Sequence, residues 1–239
     1  MKRFSPGGIG DRDERITMNR YSSFGISLCA VLLCGTTSSH ATTCAPKSLV
    51  HIIVTDITPG IDATSFGAQP RVMYRIGEDR LRIEEATDAA NGIHGLVVVA
   101  EPNIWMVNLY DGTGRHMVDP GPTFDAVAPV LGMQGLPSKL LGLEFGCEAD
   151  FIAENASAPV RSEQIGTTRF DVYRVVAGAD AVEILERPGT GTPYLVRYYH
   201  QDKLAIVLRY DLYATGLPAN PSLFVAPPGV HYTGAGSSN

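Results

Sequence analysis

Five histidines follow residue 41, namely His51, His94, His116, His200 and His231, and they are the first residues to test for chemistry. No two stand three or four positions apart, so none has the paired spacing of a helix-borne metal site. The chain has no His-Glu-x-x-His, no Walker loop, no Gly-x-Ser-x-Gly and no Cys-x-x-Cys. Glu84-Glu85 falls in a strand or turn context that reads as solvated. Asp111-Gly-Thr-Gly114 and Gly189-Thr-Gly191 have the composition of phosphate loops. Neither stands between a strand and a long helix, so both read as hairpin turns. A Ser/His/Asp triad is a spatial object, and nothing here singles one out. The expected sets of catalytic residues, metal ligands and cofactors are therefore empty. Asn155-Ala156-Ser157 fits a glycosylation sequon, which matters only in a eukaryotic secretory pathway.

Cysteine chemistry depends on compartment, and the N-terminus speaks to compartment. Met18-Asn19-Arg20 is a short basic start, followed by the apolar stretch Phe24 to Gly35 and by Ser39-His40-Ala41, with small residues at −3 and −1 of a cleavage after Ala41. That is the layout of an export signal, too short and too polar in its flank for a membrane anchor. Residues 1–41 are expected to be an N-terminal extension and signal peptide, and the mature chain periplasmic. Met1 to Thr17 carry Lys2, Arg3, Asp11, Arg12, Asp13, Glu14 and Arg15, a poor n-region, so Met18 is an alternative start. Lipid anchoring at Cys44 is the weaker alternative, because Thr43 precedes it where a small Gly or Ala is wanted. After cleavage Cys44 and Cys147 remain, a candidate disulfide in an oxidising compartment. Two unpaired thiols are the other reading.

Of 239 residues, 44% are hydrophobic and 18% charged, enough for a sizeable core and too few charges for long disorder. With 25 glycines and 16 prolines, the chain favours turns and strands over a helical bundle. The net charge is −6; without the five basic and three acidic residues of 1–41 it becomes −8. A nucleic-acid partner wants the opposite sign. A basic partner or a neutral apolar ligand suits this surface better.

Residues of these types must be held by strands. Period-2 apolar patterns mark Leu49–Ile57, Arg71–Ile76, Arg80–Glu85, Gly95–Glu101, Asn103–Leu109 and Arg115–Val118. They return at Thr168–Val176, Ala181–Glu186, Tyr194–His200 and Leu204–Tyr213. Between the two sets, Phe124–Met133 reads as a short helix interrupted by Pro129. Ser138–Asn155 reads as a better helix, capped by Ser138 and weakened by Gly142 and Gly146 by up to ~1 kcal/mol each. Residues 42–233 form a single expected domain, and 234–239 a frayed Gly/Ser tail. Several strands are apolar on both faces: Ile104 and Met106 oppose Trp105 and Val107; Leu204, Ile206, Leu208 and Tyr210 oppose Ala205 and Val207. A sheet with one wet face would not need this. A curved sheet over helices or a cavity, and a conventional sandwich, both would.

The order of short motifs resembles one family. Tyr74-Arg75…Arg80-Leu-Arg-Ile-Glu84 is followed by Ile104-Trp105-Met106…Val118-Asp119-Pro120 and a helical insertion. Then come Gly166…Phe170-Asp-Val-Tyr173, Thr192-Pro193-Tyr-Leu-Val-Arg197 and Asn220-Pro-Ser-Leu-Phe224…Pro227-Pro-Gly229. Across residues 48–232 this resembles the bacterial outer-membrane lipoprotein carrier superfamily of LolA/LolB type. The resemblance implies an α+β, mainly β fold: a strongly curved antiparallel sheet, a half-barrel, with one or two helices covering its concave face. It implies an apolar ligand, such as a lipid or lipoprotein acyl chain, between sheet and helices. It implies an arginine latch on the lid, for which Arg75 is the nearest match and Arg82 the next; the family's Arg-Pro pair is absent, since Ile76 follows Arg75. The cavity lining expected from this picture is Tyr74, Ile83, Val98, Trp105, Met106, Tyr198, Leu208 and Tyr210, with Leu140 and Phe151 from the cover. Strand parity leaves about half of these facing outward.

Three function classes follow: a periplasmic carrier or binding module for an apolar ligand, without covalent chemistry; a protein-binding envelope sensor on the same fold; and a secreted enzyme, or an unrelated all-β domain, with a site invisible in sequence. A cavity of several hundred Å³ favours the first. A filled core with an exposed apolar patch favours the second.

Overall fold

The computed structural model describes residues 44–233. The expected signal peptide, its cleavage site and the Gly/Ser tail lie outside the described residues.

Twelve strands form one open sheet: β1 (Leu49–Asp56), β2 (Arg71–Ile76), β3 (Arg80–Glu84), β4 (Gly95–Ala100), β5 (Asn103–Asn108), β6 (Thr113–Val118), β7 (Arg161–Ile165), β8 (Thr168–Ala177), β9 (Asp180–Arg187), β10 (Thr192–His200), β11 (Lys203–Leu217) and β12 (His231–Thr233). The helices are α1 (Ser138–Leu141) and α2 (Glu148–Asn155). The spatial order is β12-β6-β5-β4-β3-β2-β1-β11-β10-β9-β8-β7. Every pair is antiparallel except β12 with β6. Two hairpin meanders, β1–β6 and β7–β11, are thus sutured along β1 and β11. Short turns make these hairpins: Gln201 and Asp202, at φ 50° and 58°, supply the left-handed pair that a tight β10–β11 turn requires.

The sheet curves. Register shifts interrupt β1–β11 twice and β10–β11 once, each adding a residue to β11 at the centre of the sheet. Bulges bend and twist the strand that carries them. The chain between β6 and β7 must travel ten strand spacings of about 4.8 Å, and it does so across the concave face. One apolar cluster therefore gathers Val99 of β4, Leu81, Met73, Ile52 and Val54 at one side, Leu208, Val196, Ile184 and Val175 at the other, and Ala126 to Ile152 of the crossing segment between them. Two smaller clusters lie on the opposite face. Phe170, Val172, Leu185, Leu195 and Val207 form one. Leu96, Val98 and Val107, under Val230 and Tyr232, form the other. The two-sided apolar strands are accounted for by a curved sheet packed on both faces. This agrees with the mainly β, few-helix class expected.

The crossing segment, hereafter the cover, departs from its expected form. Phe124–Met133 is not helical. The continuous helix over Ser138–Asn155 is broken into two pieces separated by residues 142–147. Tertiary pairing explains both: Val130 N–H bonds to Leu143 O and Phe145 N–H to Ala128 O, an extended ladder that outcompetes helix in a stretch rich in Gly and Pro. Gly146 sits at φ +93°, which ends any helical path there. Ser138 is the first helical residue, with Pro137 at the cap position. Strands β7 and β12 were not foreseen: Arg-Ser-Glu-Gln-Ile has a single apolar residue, and β12 has three residues.

Candidate functional site

Arg75 is 2% exposed and points from β2 into the cover. Its Nη1 donates to Glu144 Oε2 at 2.8 Å and to Phe145 O at 3.3 Å. Its Nη2 donates to Ala126 O at 2.7 Å and Cys44 O at 2.9 Å. One guanidinium thus ties the sheet to both arms of the cover and to the segment before β1. A planar fork of five donors suits this better than an ammonium. Beside it Cys44 and Cys147 form a disulfide, Cα–Cα 5.8 Å, a bond of oxidising compartments. Arg82 points elsewhere, bonding Glu84 at 2.8 Å.

Glu148, the first residue of α2, is wholly buried. It accepts from Tyr210 Oη at 2.8 Å, Tyr213 Oη at 2.7 Å and Gly146 N at 3.0 Å. Burial pushes its carboxyl up to about 7, against the opposing pull of the two phenols.

Away from these attachments, the cover's tip stands off the sheet. A cleft of about 360 Å³ separates Met133, Gln134, Gly135 and Leu136 from Asp180, Tyr198, His200 and Ala205. Leu136 and Tyr198 also belong to the concave core, so the cleft opens onto it. At its rim Asp180 Oδ1 accepts from Tyr198 Oη at 2.6 Å and from His200 Nδ1 at 2.8 Å. His200 and Asp180 are direct cross-strand neighbours. These two donors lower the Asp180 carboxyl below its ordinary value. Burial, with Asp180, raises the Tyr198 phenol to about 12. A second, more polar cleft of about 240 Å³ lies among Asp56, Phe66, Gln69, Arg71 and Glu85. Among the described residues no group of three or more His, Cys, Asp or Glu side chains is placed to hold a metal. Nor is any described helix long and apolar enough to cross a membrane.

The ten expected lining residues divide. Ile83, Leu140, Phe151, Tyr198, Leu208 and Tyr210 meet in the concave cluster. Val98 and Trp105 belong to the cluster on the other face. Tyr74 stacks on His51 at 4.3 Å, and Met106 is 48% exposed. Parity puts Val98, Trp105 and Tyr74 on the far face, whereas Met106 shares the face of Ile104 and Val97 and is exposed there. Most of the concave side chains touch the cover directly and are nearly inaccessible. Glu144, Glu148 and Asp180 were missed. Glu148 alone carried a signal, an acid set between Phe145 and Phe151-Ile152.

No family model matches the chain, and no curated protein matches it. Solved structures do. An uncharacterized conserved protein from Thermus thermophilus aligns at 8% identity over 78% of this chain and 90% of its own, TM-score 0.47. MucB of Pseudomonas aeruginosa, in its complex with MucA, aligns at 12% identity over 80% of this chain, TM-score 0.41; this chain spans 59% of that one. A LolA superfamily protein from Nitrosomonas europaea, NE2245, aligns at 10% identity over 76% and 90%, TM-score 0.34. In structure the chain is thus similar to a LolA superfamily protein and to MucB, at low sequence identity.

Proposed function

We propose that residues 42–233 act as one exported, periplasmic binding module for an apolar ligand such as an acyl chain, without covalent chemistry. The observation that supports this best is the cleft under the cover's tip, about 360 Å³ and floored by Leu136 and Tyr198 of the concave core. Small-ligand pockets begin at about 300 Å³. Each methylene buried there contributes ~0.8 kcal/mol. The cover is fixed at one end by Arg75 and the disulfide, which leaves its tip as the part able to yield to a ligand. Native mass spectrometry of protein purified from periplasm tests the reading: co-purified lipid, or saturable uptake of a fluorescent acyl probe, is expected. Protein without adduct that also ignores the probe would sink it.

A second reading, a protein-binding envelope module, has its own observation. The concave face is filled by the cover, and Phe124, Val127, Met133 and Leu141 of that cover are 39–62% exposed. Apolar side chains gathered on one exposed segment suit a protein partner in the envelope.

A further inference from the structure

We propose that the cleft under the cover selects an amphiphile with a cationic, hydrogen-bond-donating head, an alkylammonium, which Asp180 receives while the tail lies along Tyr198 and Leu136. This rests on the apolar-ligand reading above and names its ligand class.

Among the described residues Glu144, Glu163 and Glu183 are matched by arginines, namely Arg75, Arg197, and Arg161 with Arg174, whereas Glu148 and Glu186, which do not line this cleft, have none. Asp180 has a side chain only 13% exposed, yet neither arginine nor lysine pairs with it among those residues. Its partners are a phenol and an imidazole, both on Oδ1. No described donor reaches Oδ2. A carboxylate so placed keeps its charge, since two donors stabilise the ionised form, and it lines the cleft. Basic side chains on adjoining strands are otherwise engaged or exposed. Arg174 bonds Glu183 and Asp202. Lys203, across from His200, is exposed and forms no ion pair with Asp180 among the described residues.

The rest of the cleft is built for a tail. Tyr198 is 3% exposed and gives its ring to the core and its hydroxyl to Asp180, so apolar floor and polar rim meet in one side chain. An ammonium on Oδ2 completes the carboxylate with a charge-assisted bond. An anionic head meets Asp180 unscreened, and an alcohol gains no charge term.

The test compares dodecylammonium and dodecyl sulfate, each below its micellar concentration, with dodecanol below its solubility limit, by titration calorimetry against the full mature chain. Wild type should bind the ammonium about tenfold or more tighter than the alcohol, the scale of a hydrogen bond to a charged group, and should reject the sulfate. Asp180→Asn, which still accepts from Tyr198 and His200, should bind ammonium and alcohol alike. Equal binding of all three by wild type overturns the head-group assignment while leaving the apolar-ligand reading intact. Binding of none of the three overturns both. The wild-type comparison decides the matter even if Asp180→Asn fails to fold.

Discussion

Glu144 Oε2 takes two donors at once, Arg75 Nη1 at 2.8 Å and the backbone N–H of Ala128 at 3.0 Å. One oxygen so couples the sheet to both arms of the cover. Breaking a buried pair from one side leaves the other charge uncompensated, at a cost of about 3–5 kcal/mol. Arg75→Ala is expected to lower unfolding stability by that amount in urea titration. Arg75→Lys should recover little, since three donors on a flexible stem replace a fork that meets four acceptors. A loss below about 1 kcal/mol for Arg75→Ala would show that the cover holds without it.

Cys44 and Cys147, 103 positions apart, fasten the same corner. No free thiol should label in the denatured, unreduced protein. Cys44→Ser with Cys147→Ser should destabilise by at most about 4.7 kcal/mol, the chain-entropy figure for a loop of ~100 residues. Two labelled cysteines would show that the bond does not form.

The buried Glu148 sets a pH dependence of definite sign. Its folded pKa, about 7, exceeds its ordinary 4.5. Between those values the folded chain binds more protons than the unfolded one, so stability falls as pH rises from 4.5 to 7 and then levels. The full effect is about 3 kcal/mol. Glu186, raised by burial and by Asp171, acts in the same direction. Glu183 acts oppositely: burial raises it, but Arg161 and Arg174 overcome this and bring it to about 2. Its contribution is present above 4.5 and is lost as pH falls toward 2. Glu148→Gln should flatten most of the decline between pH 4.5 and 7 in thermal melts. An unchanged profile would mean that Glu148 ionises normally.

Ala205 is an exposed β11 residue at the cleft. Ala205→Phe should obstruct the space beneath Met133 and Leu136, weakening acyl-probe uptake at least about tenfold while stability stays within about 0.5 kcal/mol. Leu208→Ala, a deletion in the concave core, should instead cost about 2–5 kcal/mol. Normal uptake by Ala205→Phe would place the probe elsewhere.

Much of the sheet was legible in period-2 runs, because β1 to β6 and β8 to β11 alternate or run apolar between Gly and Asn turns. Edge strand β7 was not, since one partner strand and charged side chains demand no apolar pattern. The cover was misread because Leu140, Leu143, Cys147 and Phe151 keep helical spacing while long-range pairing decides the backbone. Cavity residues failed by parity: Tyr74 and Arg75 are neighbours in sequence and lie on opposite faces of the sheet. Asp180 and His200 could not be paired beforehand, because only strand register brings residues 20 apart side by side.

The suture between the two meanders has a kinetic consequence. β1 joins β11 through contacts such as Val54 with Tyr210, so the middle of the sheet stays open until β11 has emerged, long after β1 to β6. Until then β1 presents a bare backbone edge, with Ile52 and Val54 beside it uncovered. Contacts this distant in sequence slow folding and prolong exposure to aggregation. A nascent chain would therefore spend its vulnerable interval with its centre open and its flanks already formed. Help during synthesis would act there, on a strand that the finished sheet holds between β2 and β11.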